Sequence, residues 1–139
     1  MPTTAPDSAV WVAVGVILDA DRNILLTRRH AASHQGGLWE FPGGKVEPGE
    51  TLDEALAREL HEELAITVER TTALLEVCHD YGDKQVRLDV RVVWQFAGTP
   101  VSQEGQPMVW TAPDDLISYA FPAANRPIVT AIERLLCGA

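Results

Sequence analysis

The pattern of apolar and polar positions divides the chain into segments of different period. WVAVGVIL (11–18) is an apolar run rich in β-branched residues and reads as a buried strand. DADRN (19–23) is a turn, and ILLTRR (24–29) returns as a second strand, so the two are expected to pair as a hairpin. Residues 30–50, HAASHQGGLWEFPGGKVEPGE, hold five Gly and two Pro. A stretch so punctuated reads as a long loop, and loops of that length are often functional. TLDEALARELHEELA (51–65) is the clearest helix, because Thr51 and Glu54 form a capping box and Leu, Ala and Glu favour helix. Residues 73–80 and 86–96 read as strands around the turn YGDK. GTPVSQEGQP (98–107) is a loop, MVWT a short strand and PDDLISY a brief helix. IVTAIERLL (128–136) is a closing amphipathic helix, opened by Pro127 and stopped by Gly138. Without strict βαβ alternation, this order predicts an α/β fold, a mixed sheet with helices packed on it. One domain is expected over residues 1–139, with 1–8 a flexible tail.

The period of the helix raises a chemical problem. At ~100° per residue, with Leu52 at zero, Ala55, Leu56, Leu60 and Leu64 span roughly −60° to +120°. This is the core-facing stripe. Glu59, near −20°, and Glu63, near +20°, fall inside it, and Glu62 lies at its edge, near −80°. Burying an unpaired carboxylate costs several kcal/mol or forces it to neutralise. A divalent cation with hard oxygen preferences, such as Mg²⁺, relieves both the burial and the mutual repulsion. A purely structural network of Arg58 with these carboxylates is the competing explanation.

Composition and charge narrow the partners. A chain 46% hydrophobic and 22% charged is ordinary for a soluble globular protein. A formal net charge of −9 disfavours nucleic-acid binding, and a polyphosphate ligand would need a cation as bridge. Two cysteines, Cys78 and Cys137, make no disulfide framework. The apolar run near the N-terminus is too short to span a bilayer, and no signal-peptide pattern precedes it. A cytoplasmic protein with no membrane partner is expected, as a monomer or weak homodimer. There is no GxxxxGK[ST] and no GxGxxG, so phosphates are not cradled by a P-loop or dinucleotide turn. The four histidines show no HExxH or Cys/His metal spacing.

Gly44, five residues, Glu50, seven residues, then Arg58-Glu59-Leu60-His61-Glu62-Glu63-Leu64-Ala65-Ile66 closely resembles the Nudix box, G-x5-E-x7-REU-x-EE-x-G-U with U aliphatic. Ala65 departs from it, standing where the family has Gly, which puts the exit of the helix in question rather than the chemistry. VAVGVI, ILLTRR, WEFPGGKVEPGE, QEGQP and FPAANRP look, in the same order, like the MutT branch, the 8-oxo-dGTP diphosphatases. GLWEFPGGKVEPGE is also similar to the CTP and methyl-dCTP pyrophosphohydrolases.

The resemblance implies an α/β/α sandwich and hydrolysis of a nucleoside triphosphate to the monophosphate and pyrophosphate. It implies that Glu59, Glu62 and Glu63, with the Gly43 carbonyl, hold Mg²⁺, with Mn²⁺ as an alternative. Glu104 in QEGQP would be a further ligand or activate water, and Glu50 and Arg58 would orient the helix carboxylates. Asn125 would read the base edge, although an Asn before Pro127 and an apolar helix is also an N-cap candidate. Arg29 and Phe41 would contact the nucleotide. Lys84 stands where that branch often has Arg, and it cannot make the same forked contact. His34 is a candidate flank of the pocket, and Trp39 is the tryptophan expected to reach ligand. A CTP-type pyrophosphohydrolase and a non-catalytic recognition module are the alternatives; such modules tend to lose the metal carboxylates, which this chain retains.

Overall fold

Strand β1 (Val10–Ile17) lies at the centre of the molecule, and both of its edges are taken. On one side it runs parallel to β6 (Gln85–Ala97), in register from Val10↔Val86 to Ile17↔Val93. On the other it meets β4 (Gly43–Lys45) antiparallel. Strand β5 (Thr67–Asp80) flanks β6 antiparallel, which gives a mixed sheet of order β4-β1-β6-β5. A second, antiparallel sheet has the order β3-β2-β7, built from β2 (Ile24–Arg28), β3 (Trp39–Glu40) and β7 (Met108–Thr111). The computed structural model describes residues 9–30, 36–82 and 84–136.

Alternation along β1 sends its side chains into two cores. Val14 and Val16 pack with Val90, Val92, Ile128 and Ile132, beneath helix α2 (Arg126–Leu136). Ala13 and Ile17 pack with Leu56, Leu60 and Leu64 of helix α1 (Leu52–Leu64). β1 is therefore covered on both faces, which explains its unbroken apolar run. Gly15 faces α1, where an added Cβ would sit 3.2 Å from Leu60 Cδ1, so helix and sheet approach closely. The α/β/α sandwich expected from the resemblance is the observed architecture.

Several local expectations change. β1 and β2 do not form a hairpin within one sheet; they enter different sheets and share only the bridge Leu18↔Ile24. The turn between them is closed instead by Asp19, whose carboxylate accepts from Asp21 N (2.9 Å) and Asn23 N (2.8 Å). The Gly-rich segment is not wholly loop, since β3 and β4 lie within it. β5 begins at Thr67, six residues before the expected strand, because register shifts between Val68 and Leu75 break the two-residue alternation. The brief helix is a 3₁₀ segment, Pro113–Ser118, and α2 starts at Arg126 after a second 3₁₀ turn, Ala123–Asn125. Gly138, the expected stop, lies outside the described residues, as do the 1–8 segment and Cys137. Cys78 is a free, exposed thiol on β5.

Candidate active site

Helix α1 opens with the predicted capping box: Thr51 Oγ1 accepts from Glu54 N (3.1 Å), and Glu54 Oε1 accepts from Thr51 N (2.9 Å). Its apolar stripe is where the period placed it, with Ala55, Leu56, Leu60 and Leu64 buried. The helix carboxylates follow the same geometry. The Glu59 side chain is 16% exposed, whereas that of Glu62, at the stripe edge, is 58% exposed. Glu59 can enter this space because residue 44 is Gly: a Cβ there would overlap the Glu59 carboxylate. Gly43 is constrained in the same way, since its Cβ would overlap the carbonyl oxygen of Ala13.

Arg58 organises the acidic face. Its Nε and Nη2 donate to Glu50 at 2.6 and 2.9 Å. Nη1 donates to Glu59 (2.9 Å) and Glu62 (3.2 Å), and Nη2 also reaches the Lys45 carbonyl (3.0 Å). One guanidinium thus ties the helix to the loop that precedes it, using the planar fork that Lys lacks. Arg58 and the Glu47 N–H hold the Glu50 carboxyl down at about 2. Burial, followed by the nearby charge and hydrogen bond of Glu59 and then the charges of Glu40 and Glu104, pushes Glu63 up to about 9. Four carboxylates from different parts of the chain therefore act on one another electrostatically.

Two of those four come from outside the helix. Glu104, exposed on its loop, is brought close because that loop docks on the end of α1: Val101 N donates to Leu64 O (2.9 Å) and Gln103 N to Glu63 O (2.8 Å). Glu40, at the end of β3, was not singled out from sequence. It is salt-bridged to Arg29 at 2.6 Å, yet burial keeps its carboxyl raised, with Glu104 adding to the effect. A two-residue strand carries no periodic signal that could have placed it.

Among the described residues no three Asp, Glu, Cys or His side chains are already gathered closely enough to hold a metal ion. The donor set nevertheless fits a hard divalent cation. Carboxylates that raise one another's proton affinity are relieved by positive charge, and Mg²⁺ takes one or two carboxylates while keeping waters and substrate phosphate oxygens.

Beside the carboxylates lies a cleft of about 240 Å³, lined by Arg29, Phe41, Gly43, Lys84 and Asn125 among others. Arg29, Phe41, Lys84 and Asn125, four of the candidates for substrate contact, thus meet in one cavity; His34 lies outside the described residues. Val12, Val14, Val86 and Leu88 give it an apolar floor. Glu40 and Gly44 line it as well, so it opens toward the acidic end. Phe41 is only 3% exposed and stacks on Phe121 (5.3 Å between centroids, 9° between planes), so it is a buried wall. Asn125 is 9% exposed and sits at the end of the 3₁₀ turn that leads into α2. Trp39 does not line the cleft; it packs edge-on against Tyr119 at 5.5 Å. Tyr81 and Lys45, not singled out from sequence, do line it.

The family model for the NUDIX domain matches residues 13–131. The 8-oxo-dGTP diphosphatase of Escherichia coli K12 is 37% identical over 124 residues, covering 89% of this chain and 96% of the relative. The CTP pyrophosphohydrolase of the same organism is 40% identical over 124 residues, covering 88% and 90%. A solved MutT structure, from work on the Aliivibrio salmonicida and Vibrio cholerae proteins, superposes with a TM-score of 0.81 at 37% identity, covering 92% of this chain and 99% of that one. With its acidic helix, its Gly-rich approach loop and these likenesses spanning nearly its whole length, the chain belongs to the Nudix hydrolase family.

Proposed function

We propose that the protein hydrolyses an oxidised purine deoxynucleoside triphosphate of the 8-oxo-dGTP type to the monophosphate and pyrophosphate. The observation that carries this reading is the buried Asn125 in a cleft with apolar lining that Glu40 and Gly44 also line, beside Glu59. An amide offers a donor and an acceptor side by side, which matches a purine edge whose pattern oxidation has changed. The apolar floor of valines and Leu88 buries the ring, and Lys84 and Arg29 bring positive charge to the cleft.

Glu59, Glu62 and Glu63, with Glu104 and the Gly43 carbonyl, would hold Mg²⁺, and Mn²⁺ suits the same oxygen set. Bound there, the cation would neutralise triphosphate charge and polarise phosphorus. The chain's own residues do the rest. Arg58 and Glu50 fix the direction of the helix carboxylates, and a carboxylate of this cluster accepts the proton of the attacking water. The water oxygen bonds to phosphorus, the phosphoanhydride P–O bond breaks, and monophosphate and pyrophosphate leave. The substrate is a free nucleotide. We place the protein in the cytoplasm as a monomer or weak homodimer; no described helix is long and apolar enough to cross a membrane.

Lys84 favours one second reading, hydrolysis of CTP or 5-methyl-dCTP, because a purine-selective fork is missing there. A panel of 8-oxo-dGTP, dGTP, CTP, 5-methyl-dCTP and ADP-ribose with Mg²⁺, ranked by kcat/KM, decides between them. The expected order has 8-oxo-dGTP first. A clear preference for CTP would sink the oxidised-purine assignment.

A further inference from the structure

We propose that Tyr81 is a positioning residue for base recognition, its hydroxyl pinning the segment that carries Asn125; this rests on the role given to Asn125 above. Tyr81 follows the end of β5, where its N–H donates to the Lys84 carbonyl at 2.8 Å and closes the turn into β6. Within that turn Gly82 N donates to Asp80 Oδ1 at 2.7 Å. The His79 ring packs edge-on against the phenol, 4.4 Å between centroids. The phenol oxygen of Tyr81 accepts from Ala124 N at 2.9 Å.

That amide belongs to the 3₁₀ turn Ala123–Asn125, immediately before α2. Backbone N–H groups at such a start have no partner within the helix and need one from outside. Tyr81 supplies it from a hairpin remote in sequence. The turn is then held on two sides, by Phe121 stacked on Phe41 and by Tyr81 on Ala124. Asn125 is the next residue and lines the cleft, so its place there depends on where this turn is held. Tyr81 and Asn125 line the same cavity, and Tyr81 also braces the turn presenting Lys84. One hydroxyl thus ties together the two elements that bring Asn125 and Lys84 to the ligand.

A double-mutant cycle of Tyr81→Phe and Asn125→Ala tests this, since Phe keeps the ring and removes the hydroxyl to which Ala124 N donates. The readouts are kcat and KM for 8-oxo-dGTP and CTP with Mg²⁺, and exchange of the Ala124 amide followed by NMR. Tyr81→Phe should raise KM for the preferred nucleotide roughly two- to tenfold, with kcat changed by less than about twofold. Ala124 should exchange faster, and in the Asn125→Ala background the second substitution should add nothing. Additive effects on KM, an unchanged KM, or an unchanged Ala124 exchange rate would each overturn the proposal. A preference for CTP in the unmodified protein would reject the oxidised-purine reading, while the coupling between Tyr81 and Asn125 would still be measured on CTP.

Discussion

Ala65 is the one position of the Nudix box that departs from the family pattern, and its replacement by Gly should stabilise the protein. It caps α1 in the left-handed region, at φ 60° and ψ 31°, with its N–H on the His61 carbonyl (3.0 Å). An L-residue in this conformation costs about 1–2 kcal/mol, which Gly avoids. Gly gives back about 0.4–1 kcal/mol through the greater freedom of the unfolded chain. Ala65 is exposed, so loss of its methyl opens no cavity. The net gain is about 0.5–1 kcal/mol, which for a chain of 139 residues corresponds to a Tm rise of roughly 2–4 °C. Urea unfolding and thermal melts of Ala65→Gly against the unmodified protein measure it. Because the dihedral is retained, the carbonyls of Glu63 and Leu64 should keep their bonds from Gln103 and Val101. The Glu104 loop then stays docked, and kcat/KM should change by less than about twofold. A lowered or unchanged urea midpoint would refute the argument from backbone strain.

Three further outcomes are expected. Gly44→Ala places a methyl on the Glu59 carboxylate and should reduce kcat/KM by at least about tenfold while the far-UV circular dichroism stays unchanged; near-normal turnover would remove Glu59 from the metal-binding set. Arg58→Lys keeps the charge and loses the fork to Glu50 and Glu59, so kcat/KM should fall roughly 10–100-fold in assays at saturating Mg²⁺. Glu63, raised to about 9 by burial and by Glu59, Glu40 and Glu104, favours the folded state fully only below its unfolded pKa near 4.5. Its contribution is lost as pH rises toward 9, so protein kept in chelator should lose stability across that window. The slope, read from urea midpoints, should approach but not exceed about 1.4 kcal/mol per pH unit. Mg²⁺ or Glu63→Gln should flatten it, and a pH-independent stability would contradict the crowding of the carboxylates.

The sequence by itself determined what depends on neighbours a few residues apart. The capping box, the apolar stripe of α1 and the entry of Glu59 and Glu63 into it follow from the helical repeat, which local backbone geometry sets. The Nudix-box spacing between Gly44, Glu50, Arg58 and Glu59 was likewise legible, because the loop is short and its partners lie on one helix. Only the tertiary structure decided which strands pair. β1 and β2 look like a hairpin in the chain, but β4 and β6 occupy both edges of β1 with bonds between remote segments. The same holds for the site's outer parts. The charges of Glu40, on a two-residue strand, and Glu104, on a docked loop, act on Glu63, and Tyr81 meets Ala124. The acidic helix therefore states the reaction class in its own sequence. The environment of those carboxylates, and the groups that face the base, come from contacts between distant segments, which leave no periodic trace along the chain.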